Sequence, residues 1–187
     1  GRYGVTFTTR GVRWGRSVAD LVCARSSSKG AAAAEVVAAE ARRRGAGLRA
    51  LVAVERDTAT TAPAEARAVL GEDAGTAARV IAALCAHPDV LDAGVLAVTG
   101  RGAWCDALNA DRIVAAMGLS VAEGEGWVAT EGCDIRGAVR LVGHGPGWSP
   151  VRWLAAAEAA LDDGAARVIV LTREDPKLAS ASGGSKP

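Results

Sequence analysis

The sequence predicts an α/β domain, a mixed sheet covered by helices in two or three layers. Short apolar runs at 48–54, 94–98 and 167–171 read as strands, and Ala-rich stretches at 31–44, 76–86 and 151–161 read as helices. Alternation of that kind buries strands between helices. A Thr-rich opening at 3–9 and a hairpin-like segment at 127–142 call for antiparallel strands as well, which makes the sheet mixed. One Phe, one Tyr and one Met stand against five Trp, so the core falls to Ala, Val and Leu, which favours helices packed closely on a sheet. The GxGxxG fingerprint follows no strand, which argues against a dinucleotide-binding Rossmann fold.

At 187 residues the chain is long enough for one core without disulfides or metal. Residues 1–175 are expected to form a single α/β domain. Residues 176–187, rich in Ser, Gly and Lys, are expected to be a flexible tail.

Taken in order, 3–9 is β-branched and aromatic, a strand, and 17–24 has the spacing of a short helix with Ser17 as its cap. The helix at 31–44 ends on Arg42, Arg43 and Arg44 before Gly45, the cations and glycine that suit a helix C-terminus. Strand 48–54 follows, then Thr61 and Pro63 open a helix to Leu70. The helix at 76–86 carries Val80, Ile81 and Leu84 on one face and stops at His87-Pro88. Strand 94–98 leads through Thr99-Gly100-Arg101-Gly102 into a helix expected from about 103 to 117. Strands at 127–130 and 138–142, a helix at 151–161 and a strand at 167–171 complete the pattern.

Residues 36–57 align with 154–175 at seven of 22 positions, a weak internal repeat of helix, glycine break and strand. In an alanine-rich chain the plainer reading is two ordinary helix-to-strand units.

Charge excludes some functions. Lys and Arg number 22 against 21 acids, a net charge of +1, which gives no electrostatic case for nucleic acid or a membrane surface. No apolar run approaches the roughly 18 residues of a membrane span. Cys23, Cys85, Cys105 and Cys133 are too widely spaced for a CxxC motif and read as buried thiols of a reducing compartment, so a cytoplasmic location is expected. Asp106 and Asp134 beside Cys105 and Cys133 would raise a thiol pKa, which disfavours a cysteine nucleophile.

Three loops carry candidate chemistry. Ser26, Ser28, Lys29 and Gly30 precede a helix whose N-terminal amides and dipole favour an anion, and Lys29 adds a mobile positive charge. The GxxxxGK[ST] phosphate loop is absent, and a polar helix cap is the plain alternative. Arg101 and Gly102 lie where open α/β sheets bind ligands, past the carboxyl end of a strand, and Arg101 could clamp an anion bidentately. His144 lies in a run of glycines and prolines with Trp148, as a proton carrier beside a pocket wall. Asp57, past the end of strand 48–54, would orient the histidine or a metal, although no residue set is assigned to a metal. No cofactor is indicated.

The expected function is a small enzyme, a transferase or hydrolase, acting on an anionic phosphorylated or carboxylated small molecule by acid–base chemistry. Ser28, Lys29 and Arg101 would grip the anion and His144 would move the proton. The alternative is a non-catalytic subunit, its Ala-, Gly- and Trp-rich faces packing on copies of itself in a homo-oligomer or on a partner.

Overall fold

The computed structural model describes residues 5–8, 11–14, 26, 28–54, 76–100, 102–117, 127–144 and 150–172. Strands β1 (Val5–Thr8) and β2 (Gly11–Trp14) form an antiparallel hairpin. Helix α1 (Ser28–Arg44) and a single 3₁₀ turn (Gly45–Gly47) lead to β3 (Ala50–Val54). Helices α2 (Ala77–Ala86) and α3 (Pro88–Leu91) precede the hairpin of β4 (Val95–Thr99) and β5 (Gly102–Asp106). Then come α4 (Ala110–Ala116), β6 (Trp127–Gly132), β7 (Ala138–His144), α5 (Pro150–Asp163) and β8 (Val168–Thr172).

Strands β3 to β8 make one mixed sheet in the order β3-β8-β4-β5-β7-β6. β3, β8 and β4 are parallel, whereas the β4–β5, β5–β7 and β7–β6 pairs are antiparallel. The α/β expectation with a mixed sheet is met.

Side-chain alternation settles the number of layers. Val95, Ala97, Val168 and Val170 share one core with α1, α2 and α3, through residues such as Val37 and Ile81. Their neighbours Leu96, Val98 and Ile169 share a second core with α4 and α5, through Ile113 and Ala160. Successive residues of a strand point to opposite faces, so helices cover both sides and the fold has three layers. β4, buried along its whole length, is the strand this arrangement demands.

Gly94 fixes the close packing of β4 against the turn before β8. Its φ is +71°, and a Cβ there would stand 2.1 Å from the carbonyl oxygen of Ala165, a gap that no side chain can fill.

The segment expected to be helical from about 103 is instead β5. Gly102, at φ +144°, lets the chain turn straight back after Thr99, and Ala103 and Cys105 then face the α4–α5 core while Trp104 packs toward the other. This period-two burial wins over helix propensity. The helix starts only at Ala110, because Asp106 Oδ1 accepts the Asn109 backbone N–H at 2.9 Å and Asn109 Nδ2 at 2.7 Å, while Oδ2 accepts the Val95 N–H at 2.7 Å. Asp106 is fully buried, and its carboxylate ties the start of β4 to the end of β5.

The two aligned blocks meet in the sheet. β3 and β8 pair with Ala50 beside Val168 and Val52 beside Val170, the same correspondence as in the sequence alignment. Their helices lie on opposite faces. The segments expected to be helical at 17–24 and 63–70, and the tail from 176, fall outside the described residues.

Candidate functional site

The topology gathers the candidate loops at one end of the sheet. The C-terminus of α1 lies at the amino ends of the parallel strands, where Arg167 Nη1 donates to the Gly45 carbonyl at 2.8 Å. At 17 residues the helix is roughly 25 Å long, which carries its first turn to the carboxyl end of the strands. The N-terminus of α2 is beside it, since a Cβ on Gly30 would stand 3.3 Å from the Arg79 carbonyl oxygen. β5 begins at Gly102, paired with Thr99, and β7, antiparallel to β5, ends at His144 on that same side.

Alternation also sets the face. Val170 belongs to the α1–α2–α3 core, so Thr172, two residues on, points to that side, as does Thr99, two past Ala97. The register pairs Val54 with Thr172, and one step beyond the Val98–Leu171 pair it sets Thr99 next to Thr172. Ala138 has the same orientation, and counting by twos along β7 gives that orientation to Arg140 and His144. Thr99 and His144 are about 12 Å apart by strand spacing, two strands across and two residues along.

Thr172 and Thr99 are 7% and 8% exposed, and among the described residues the Thr172 hydroxyl has no hydrogen-bond partner. A buried hydroxyl without a partner costs about 1–3 kcal/mol, and such groups are uncommon. Its place is the carboxyl end of the strand flanked by two parallel neighbours, where open α/β sheets bind ligands.

Ser28, Lys29 and Gly30, expected as a loop ahead of the helix, form its first turn. Ser26 supplies the cap: its carbonyl accepts the Lys29 N–H at 3.1 Å and its Oγ the Ser28 N–H at 3.3 Å, with the two hydroxyls 2.6 Å apart. That first turn holds no acid, and among the described residues the exposed Lys29 makes no ion pair.

Arg140 is the guanidinium that the described residues bring to Gly102. Its Nε and the Trp104 ring lie 4.0 and 3.8 Å from the position of a Cβ on that glycine. Arg140 is opposite Trp104 in the β5–β7 ladder and forms no ion pair among the described residues. His144 is half-buried at the strand end rather than in the irregular loop. Arg101, Asp57 and Trp148 fall outside the described residues.

Sequence reasoning missed Thr172 and Arg140. The first had a signal, a hydroxyl closing an apolar strand as Thr99 closes β4; the second emerges only from the cross-strand register.

The thiols are not part of this site. Burial, with a smaller contribution from the Asp106 charge, pushes Cys85 and Cys105 up to about 12. Among the described residues no group of His, Cys, Asp and Glu could hold a metal ion, and no helix is long and apolar enough to cross a membrane. Comparison with protein-family models, curated proteins and solved structures found no match.

Proposed function

We propose that the chain is an enzyme acting on an anionic small molecule, phosphorylated or carboxylated, bound at the carboxyl end of the sheet on the α1–α2 side. The unpartnered, buried hydroxyl of Thr172 carries this reading. A ligand oxygen or N–H would satisfy it, and Thr99 beside it offers a second hydroxyl.

Lys29 and the Ser28 hydroxyl, at a helix N-terminus free of acidic residues in its first turn, suit the anion. Arg140 next to Gly102 suits a carboxylate or phosphate at the other end of the molecule. His144 supplies an imidazole on this side, and a ligand spanning about 10 Å from Thr99 would reach it. The chemistry is a proton transfer that accompanies group transfer or hydrolysis.

A thermal-shift screen of phosphorylated and carboxylated metabolites tests the proposal. Stabilisation by at least one such compound, lost in Lys29→Ala, is the expected result. A set of anions that leaves the melting temperature unmoved would count against an anion site.

A further inference from the structure

We propose that the outer edge of β3 binds a second copy of this chain, edge to edge and antiparallel, which extends the sheet across a two-fold axis at Val52. Among the described residues β3 pairs only with β8, and no described strand lies along its other edge. The backbone shows which groups that edge presents. The Ala50 N–H donates to the Arg167 carbonyl at 2.9 Å, on the β8 side. In a parallel pair alternate residues bond the same neighbour, so Ala50, Val52 and Val54 serve β8 and Leu51 and Ala53 point outward.

Open edges of this kind are normally blunted by a Lys, a Pro or an inward charge, and the strand Ala-Leu-Val-Ala-Val has none. Instead Leu51 is 67% exposed, and Val36 on the neighbouring helix α1 is 64% exposed. An apolar groove runs along the edge on each face of the sheet. One, of about 270 Å³, lies toward α5 between Leu51, Leu154 and Leu161. The other, of about 480 Å³, lies toward α1 and is lined by Ala32, Ala33 and Val36.

The strand is complementary to itself. With Val52 on the axis, Leu51 faces Ala53 of the copy, and these are the outward-pointing residues. They can exchange both N–H···O bonds, twice over by symmetry, giving four hydrogen bonds. Toward α5 Leu51 meets Ala53 of the copy, large against small; toward α1 Ala50 meets Val54 on either side of the Val52 pair on the axis. Unrelated extended peptides would meet the same edge without this self-match, and a closed two-fold dimer satisfies it on both copies.

Ala53→Pro tests the interface, because it removes an outward N–H that β8 does not use; Leu51→Lys, which places a charge on the edge, is the second variant. Size-exclusion chromatography with light scattering should give the wild-type chain twice the monomer mass. Each variant should fall to the monomer mass with its far-UV circular dichroism unchanged. A wild-type chain that is monomeric across the concentration range, or a dimer that survives Leu51→Lys, would overturn the proposal.

Discussion

A Cβ on Gly94 would stand 2.1 Å from the Ala165 carbonyl oxygen, so β4 and the turn into β8 touch backbone to backbone. These strands form the parallel centre of the sheet, and the contact sets how closely they enter it. Gly94→Ala must both adopt φ +71° and push this carbonyl away. A loss of at least about 2 kcal/mol is expected, read as a lower urea midpoint with an unchanged slope.

Asp106 is the second fixed point. Asp106→Ala leaves the Val95 N–H, the Asn109 N–H and the Asn109 amide without their buried acceptor. At about 1–3 kcal/mol for each stranded donor, the variant is expected to be largely unfolded at 37 °C by circular dichroism.

The buried thiols give a pH signature. Cys85 and Cys105 are raised from 9.0 to about 12 in the fold, so the unfolded chain releases these protons first as the pH climbs. Their contribution is fully present below about pH 9 and is lost between pH 9 and pH 12 as the unfolded thiols ionise. The slope is about 1.4 kcal/mol per pH unit for each thiol. Unfolding midpoints measured across that range should fall, and Cys85→Ala should flatten the decline. Both thiols should resist an aromatic disulfide reagent at pH 8 until the chain is unfolded.

Thr172→Val separates a binding role from a packing one. Valine keeps the shape and removes a hydroxyl that has no partner among the described residues. Stability should hold or rise by up to about 1 kcal/mol, while affinity for any anionic ligand found should fall about 3- to 10-fold. A residue that only packs would give the same stability change with no loss of binding.

The architecture was legible where periodicity was strong. Ala31 to Arg44 and Val168 to Leu171 could hardly form anything else, and the strand, glycine turn and helix signals fixed their order. The 103–106 segment was not legible, because Ala-Trp-Cys-Asp has no helical or strand period until Gly102 turns the chain back on β4. Parts of the site were visible as motifs, such as Ser26 to Gly30, since capping chemistry is local. Arg140 and Thr172 depend on which face a strand presents and which neighbour it gains, and both follow from long-range pairing.

The most direct measurement is calorimetric titration of the best anionic hit from the thermal-shift screen into the wild-type chain, Thr172→Val, Lys29→Ala and Arg140→Ala. One-to-one binding by the wild type is predicted, about 10- to 100-fold weaker in Lys29→Ala and Arg140→Ala and about 3- to 10-fold weaker in Thr172→Val. Binding that all three variants retain at wild-type strength would contradict a site at the carboxyl end of the sheet.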